Sequence, residues 1–159
     1  MNIIDYLNSN HVVYDLYEHK PIFSVGDDEK LGIKLPGTQT KNLFLKDKKS
    51  KKFFLVSMNQ SSKMDLKSFG QLLGGYKFSF GKAEDLANLL NVSPGSVSVF
   101  GKIFDNENQV NLVVDQSLLE ADKVAFHPNI NTQTVVVDQK NFKKFLDEFE
   151  YTAFDFTDF

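Results

Sequence analysis

The fold class this sequence predicts is an α/β (α+β) domain: a mixed, mostly antiparallel β-sheet surrounded by helices. Three observations carry that reading. Apolar strand-like runs alternate with helical periods, Gly and Pro punctuate the joins, and 42% hydrophobic residues in 159 supply one core. A domain near this size buries roughly 68–70% of its unfolded surface, so it needs no disulfide or metal staple. No repeat or low-complexity linker divides the chain, and residues 1–159 read as a single domain.

The elements follow in order. Residues 2–10 read as a short helix, with Ile3, Ile4 and Leu7 at helical spacing. Residues 12–17 are β-prone. Ser24 is a candidate N-cap for a helix over residues 25–33, with Asp27 and Asp28 in the first turn where the helix dipole favours acids. Residues 42–46 and 53–58 are strands joined by a lysine-rich turn over 47–52. Residues 65–73 form a helix ending at Gly74-Gly75. Residues 76–80 read as a strand, and 82–90 as a helix stopped before Ser93-Pro94-Gly95. Residues 110–115, 123–126 and 134–138 are strands. The helix over 141–149 puts Phe142, Phe145, Leu146 and Phe149 on one face, a stripe best read as core packing. The aromatic and acidic tail from Tyr151 is either a last strand or a frayed end.

Composition narrows the chemistry. With no Cys there is no disulfide, no thiolate zinc site and no Cys nucleophile. No His/carboxylate set of metal-binding spacing is present, so neither metal nor cofactor is expected. Met1-Asn2-Ile3-Ile4-Asp5 lacks the basic start and apolar run of a signal peptide, and no run approaches the roughly 20 apolar residues of a membrane span. The expectation is a soluble, cytoplasmic protein with no membrane partner. The net charge is -3, and all 18 basic residues are Lys, so any phosphate contact is a point charge rather than a bidentate fork. Composition alone does not point to nucleic acid.

Three segments concentrate polar residues beside tight turns. In the first, Pro36-Gly37 feeds Thr38-Gln39-Thr40-Lys41-Asn42, and Lys41 stands before an apolar run. A lysine there suits a phosphate, a carboxylate or an ester carbonyl; the plainer reading is a strand-edge lysine that snorkels. In the second, Gly95 and Gly101 bracket Ser96, Val97 and Ser98. Backbone N–H groups there suit an oxyanion hole or anion nest, and the plainer reading is a connection rich in turn residues. Neither serine has the flanking glycines of a nucleophile elbow. In the third, His127 ends a strand and precedes Pro128, Asn129, Ile130, Asn131 and Thr132. Histidine suits acid–base work near neutral pH, or it closes a turn. His11 and His19 are weaker candidates.

In this order and spacing the segments resemble the freestanding prolyl-tRNA editing proteins, relatives of the insertion domain of bacterial prolyl-tRNA synthetase. The resemblance runs from Tyr17-Glu18-His19-Lys20-Pro21 through Leu35-Pro36-Gly37, Thr40-Lys41-Asn42-Leu43-Phe44-Leu45 and Pro94-Gly95-Ser96-Val97-Ser98 to Phe126-His127-Pro128-Asn129 and Asn131-Thr132. It implies an editing-domain fold with a pocket for the 3′-terminal adenosine and its aminoacyl ester. It implies that Lys41, Asn42 and His127 match the family's site residues, and Gly95 to Ser98 its glycine loop. Val99 stands where that loop often carries proline. The stretches around Lys41 and His127 look most like the alanine-specific deacylases.

The activity so implied is hydrolysis, without a protein nucleophile, of mischarged proline tRNA, most of all its alanyl ester. Backbone N–H groups of Gly95, Ser96 and Ser98 would stabilise the oxyanion, Lys41 would anchor the terminal adenosine, and His127 with Asn42 would position ester and water. Thr40, Val97, Asn129, Asn131 and Thr132 are the expected substrate-side residues, with Ile33, Leu35 and Phe44 as apolar walls. The implied partner is the acceptor end of proline tRNA, with prolyl-tRNA synthetase or an elongation factor as further candidates. Two alternatives stay open: a deacylase for cysteine or serine, and a noncatalytic module that binds aminoacyl-tRNA or a synthetase. The lysine-rich turn is either a solvated tip or a phosphate contact. Replacing Lys48, Lys49, Lys51 and Lys52 with Ser should weaken tRNA binding and flatten its salt dependence while the fold persists; an unchanged salt slope makes the turn merely solvated.

Overall fold

The computed structural model describes residues 2–21, 32 and 35–157. The sheet is assembled on one long strand, β2 (Thr38–Asp47). Along one edge β2 pairs antiparallel with β3 (Phe53–Asn59), from Thr40 opposite Asn59 to Lys46 opposite Phe53. Its other edge is shared. Thr38 and Gln39 pair parallel with β6 (Lys123–Phe126), and Leu45 to Asp47 pair antiparallel with β4 (Phe78–Phe80). Outside β3 lie β5 (Val110–Asp115) and then β8 (Tyr151–Phe154), both parallel to their neighbours. Outside β6 lie β7 (Gln133–Asp138) and then β1 (Asp15–Glu18), both antiparallel. Among the described residues, eight strands thus form a mixed sheet with four antiparallel and three parallel pairings.

Most of the described helices begin where short polar side chains satisfy free N–H groups. Asn2 accepts from the Asp5 N–H at the start of α1 (Ile3–Ser9). Asp65 accepts from Ser68 to open α2 (Leu66–Gly74), so it is a cap and not the first helical residue. α2 ends at Gly75, whose φ of 82° is the left-handed conformation that favours glycine. Lys82 precedes α3 (Ala83–Leu90) without a side-chain cap. Asp138 caps α5 (Gln139–Leu146) through Asn141.

Several expectations shift. Helix 141–149 begins two residues earlier and ends at Leu146, β1 is confined to Asp15–Glu18, and β4 to Phe78–Phe80. β2 starts four residues before the expected 42. The sequence reading also missed α4 (Gln116–Glu120), too short for a helical period to show, and two 3₁₀ turns, Pro94–Ser96 and Val99–Phe104. The tail is a strand, since Tyr151–Phe154 adds to β5. The expected Ser24 cap and the helix over 25–33, with Asp27 and Asp28, lie outside the described residues.

Alternation along β2 separates two apolar clusters. Phe44 joins Leu55, Phe100, Phe126, Phe142 and Phe145 in the larger one, and Leu45 joins Phe54, Val56, Met58, Phe69 and Phe78 in the other. The larger cluster is linked by aromatic contacts: Phe100 meets Phe126 at 5.2 Å and Phe145 at 5.0 Å, and Phe126 meets Phe142 at 5.3 Å. The Phe142, Phe145, Leu146 stripe is buried there, with Phe149 packed at its margin. In the smaller cluster Gly70 is required by contact, since a Cβ would lie 2.3 Å from the Tyr76 carbonyl oxygen.

The hairpin between β2 and β3 is held by a buried carboxylate. Asp47 accepts from the Ser50 hydroxyl (2.6 Å), the Ser50 N–H (2.9 Å) and the Lys77 N–H (2.8 Å). These bonds, that of the Ser50 hydroxyl first, hold its carboxyl far below the usual carboxylate range. A depressed folded pKa adds stability that is complete above the unfolded value near 4 and fades as pH falls toward the folded one. Asp47→Asn should therefore lower the melting temperature at pH 7 and make it less sensitive to acid below about pH 4. Parallel melting curves of the two proteins from neutral to acid pH check this.

Candidate active site

Lys41 lies within β2 rather than ahead of it. Its alternation partners Leu43 and Leu45 pack with the smaller cluster, so Lys41 emerges on that side of the sheet. The half-buried ammonium donates to the carbonyl of Ser62. Burial pulls its pKa below the usual lysine range, and the buried Asp115 carboxylate opposes that shift.

Thr40 and Asn42 face the other way, toward the larger cluster with Phe44. The Thr40 hydroxyl donates to the Ala125 carbonyl (2.7 Å) and ties β2 to β6 just beyond their parallel pairing. Asn42 Oδ1 is buried without a hydrogen-bond partner, as is the hydroxyl of Ser57, directly opposite it on β3. Such orphaned groups are expensive inside a fold unless a water or ligand meets them.

The 95–98 stretch packs on this same side, because Val99 and Phe100 belong to the larger cluster. Gly95 is exposed, Val97 is half-buried, and Ser96 and Ser98 are buried. The Ser98 hydroxyl is turned inward, where it caps the second 3₁₀ turn by accepting from the Phe100 N–H (3.0 Å). The bonds closing the loop run from Ser96 N–H to Ser93 O, Phe100 N–H to Ser98 Oγ and Gly101 N–H to Ser98 O. None of them uses the N–H of Ser98 or Val99.

His127 follows β6. The last β2–β6 pair is Gln39 with Ala125; carried on by alternation, Lys41 and His127, each two residues further along its chain, fall on the same side of the sheet. Its Nδ1 lies 2.9 Å from the Gln133 carbonyl, which can only accept, so Nδ1 carries the proton. The His19 ring stands 6.2 Å away, centre to centre. His19 Nδ1–H donates to the Lys20 carbonyl (2.8 Å), its Nε2 accepts from the Thr134 hydroxyl (2.8 Å), and its N–H donates to the Thr132 carbonyl (2.9 Å).

Asn129, with φ 61°, reaches across to the other polar segment. Its amide donates to the Leu90 carbonyl at the end of α3 (3.0 Å), and its Oδ1, buried without a partner, lies beside Gly101. Asn131 and Thr132 are half-buried in the same loop. Among the expected walls, Leu35 is half-buried beside the Pro36-Gly37 turn, and Ile33 lies outside the described residues. Phe44 is buried in the core, stacked on Phe53 at 5.4 Å and pressed against Gly81.

The fold thus brings Lys41 and His127 to one side of the sheet. It places Thr40, Asn42 and the 95–98 loop on the other, and links that loop to the His127 segment through Asn129. Ser57, Ser62 and Asp115 complete these surroundings and were not read from sequence. An Asp closing a strand two residues before a capped serine was the one local signal available for Asp115.

Residues 19–145 match the model of the aminoacyl-tRNA editing domain family. The chain belongs to the aminoacyl-tRNA editing domain family. Among curated proteins, a prolyl-tRNA editing protein, ProX, of Acetoanaerobium sticklandii is 34% identical over 142 residues, covering 89% of this chain and 87% of its own. The prolyl-tRNA synthetase associated domain-containing protein 1 of Mus musculus is 31% identical over 136 residues, covering 83% of this chain and 80% of its own. A solved structure of a candidate trans-editing enzyme for prolyl tRNA synthetase superposes with a TM-score of 0.70 at 16% identity, over 96% of this chain and 93% of its own. At that identity the superposition bears on the fold alone. The editing-domain match spans both the Lys41 and His127 segments, and among the described residues no helix is long and apolar enough to cross a membrane.

Proposed function

We propose that this editing domain hydrolyses a wrong amino acid from proline tRNA, with the alanyl ester as the substrate. The observation that carries this reading is the half-buried Lys41 ammonium on the same side of the sheet as His127 in a chain of the editing family. A cation and a tautomer-fixed imidazole at one strand mouth suit a nucleotide end that carries an activated ester. The prolyl-tRNA editing relative supports the choice of tRNA. The motif likeness to alanine deacylases supports the choice of amino acid.

In this reading Lys41 anchors the phosphate or ribose side of the terminal adenosine, and His127 orients the ester and the attacking water. The 95–98 loop, across the sheet from Lys41, is the proposed oxyanion donor for an ester that reaches round the polar end of β2 to the Asn42 side. Its Ser96 N–H already donates to Ser93 O, and the N–H groups of Gly95, Val97 and Ser98 are left out of the bonds that close it. Asn42 offers an unpartnered carbonyl oxygen to a bound water. Thr40, Val97, Asn129, Asn131 and Thr132 shape the substrate side. Leu35 and Ile33 are the proposed walls, and Phe44 supports them from the core.

The step needs no enzyme nucleophile. Water adds to the ester carbonyl, the tetrahedral intermediate collapses, and the tRNA 3′-oxygen leaves with a proton, freeing the amino acid. Selection against proline is steric. A synthetase pocket built for proline loses only about 1–3 kcal/mol per missing methylene when it takes alanine, so a second, smaller site completes the discrimination. The proposed hydrolysis is metal-independent and should survive chelation; activity lost with a chelator and restored by zinc or magnesium would contradict it.

Two variants tested by single-turnover hydrolysis, with melting curves in parallel, examine the assignment. Lys41→Ala should remove most of the rate on alanyl-tRNA(Pro) with little change in melting temperature, because its head group is half-exposed. His127→Ala should lose less rate and some stability, since its ring is tied to Gln133. Wild-type turnover by a folded Lys41→Ala protein would show that the chemistry lies elsewhere. Hydrolysis of the prolyl ester as fast as the alanyl ester would remove the case for a size sieve.

A further inference from the structure

We propose that Asp115 is a positioning residue for Lys41, acting through the turn at Ser62. This rests on the reading of Lys41 as the substrate anchor. Asp115 ends β5 and is 2% exposed. One carboxylate oxygen accepts from the Ser117 N–H (2.9 Å) and caps α4. The other accepts from the Asn59 N–H (3.0 Å) and the Ser62 hydroxyl (2.9 Å). That second oxygen therefore fixes the turn whose Ser62 carbonyl receives the Lys41 ammonium.

The geometry exceeds what a helix cap needs. A serine or asparagine at 115 has one acceptor oxygen and would cap α4, but it could not also hold two donors of the turn. Without the Asp115 oxygen, the turn still joins β2 through the Gln60 N–H to Gln39 O bond (2.9 Å) and closes on itself through Ser62 N–H to Asn59 O. Those bonds leave the Ser62 side chain unrestrained. The charge acts too. The titratable groups on the elements around Lys41 are Asp115 at the end of β5, the exposed Lys63 next to Ser62, His127 beyond β6, and His19 packed near the His127 ring. Asp115 is the one whose field raises the basicity of Lys41, against the effect of burial. A single buried carboxylate thus sets where the ammonium stands and helps to keep it charged.

Two variants separate positioning from plain architecture. Ser62→Ala removes the link from Asp115 to the turn but keeps both the α4 cap and the Ser62 carbonyl. Asp115→Asn removes the charge. Each is read by melting temperature, by single-turnover hydrolysis of alanyl-tRNA(Pro), and by a pH titration of the Lys41 side-chain carbon resonance in isotope-labelled protein. The titration needs no substrate. Ser62→Ala should keep a near-wild-type melting temperature and lose about tenfold in rate, as small misplacements of a substrate anchor do. In Asp115→Asn the Lys41 titration should move to lower pH, because the carboxylate that favours the charged ammonium is gone. If Asp115→Asn does not fold, the rate and melting temperature of Ser62→Ala decide. Wild-type rates with an unmoved Lys41 titration overturn the proposal, and so does a loss of stability with rate and titration intact. Should Lys41→Ala keep its rate while the titration still moves, the substrate-anchor reading fails and the electrostatic link stands. Should Lys41→Ala be inactive while both variants match wild type, this inference alone fails.

Discussion

The pairing of β2 along both edges is the constraint on which the rest depends. β3 occupies one side of the strand from Thr40 to Lys46, while β6 and β4 divide the other, so neither register nor facing can slip. A one-residue shift would exchange Leu45 for Phe44 and empty both apolar clusters at once. The same pairing fixes Lys41 and Asn42 on opposite sides of the sheet. The apolar end of β2 thereby sets the geometry of its polar end.

That division orders the site. On the Lys41 side stand polar and titratable groups already satisfied within the fold: Asp115 in its three hydrogen bonds, His19 between Lys20 and Thr134, and the Nδ1–H of His127 on Gln133. On the Asn42 side stand groups with unmet capacity, Asn42 Oδ1 and Ser57 Oγ, beside the cluster that the 95–98 loop closes. A network that is complete before a ligand arrives holds its members in place, and orphaned oxygens are stored capacity for binding. Asn129 ties the His127 segment to the end of α3, next to the second 3₁₀ turn, so the two polar loops are not independent bodies.

Most of the architecture was legible because it is local. The helix after Asp65, the Gly74-Gly75 stop and the Phe142, Phe145, Leu146 stripe each announce themselves within a few residues, and each is found. The start of β2 was not legible. Thr38-Gln39-Thr40-Lys41-Asn42 has no apolar alternation; it is a strand because β6 and β3 pair with it, and its side chains are half-buried rather than packed in the core. That is why Lys41 read as standing ahead of the strand. Asp115, Ser62 and Ser57 were hidden for a related reason: their partners lie 53 or more residues away or across a strand pair, and no spacing rule reaches that far. Phe44 read as a pocket wall because its neighbours in sequence are candidate site residues, whereas alternation sends it into the core beside Phe53.

The central claim is that the polar end of β2 and the loop after β6 together receive an aminoacylated adenosine. Amide chemical-shift mapping with an adenosine carrying alanine through a non-hydrolysable 3′-amide tests it most directly. The account predicts the largest shifts at Thr40, Lys41 and Asn42 and across residues 127–132, with smaller ones in the 95–98 loop. Shifts confined elsewhere, for instance to the surface pocket lined by Asn88, Phe104, Glu107 and Gln109, with Thr40 to Asn42 unmoved, would contradict it.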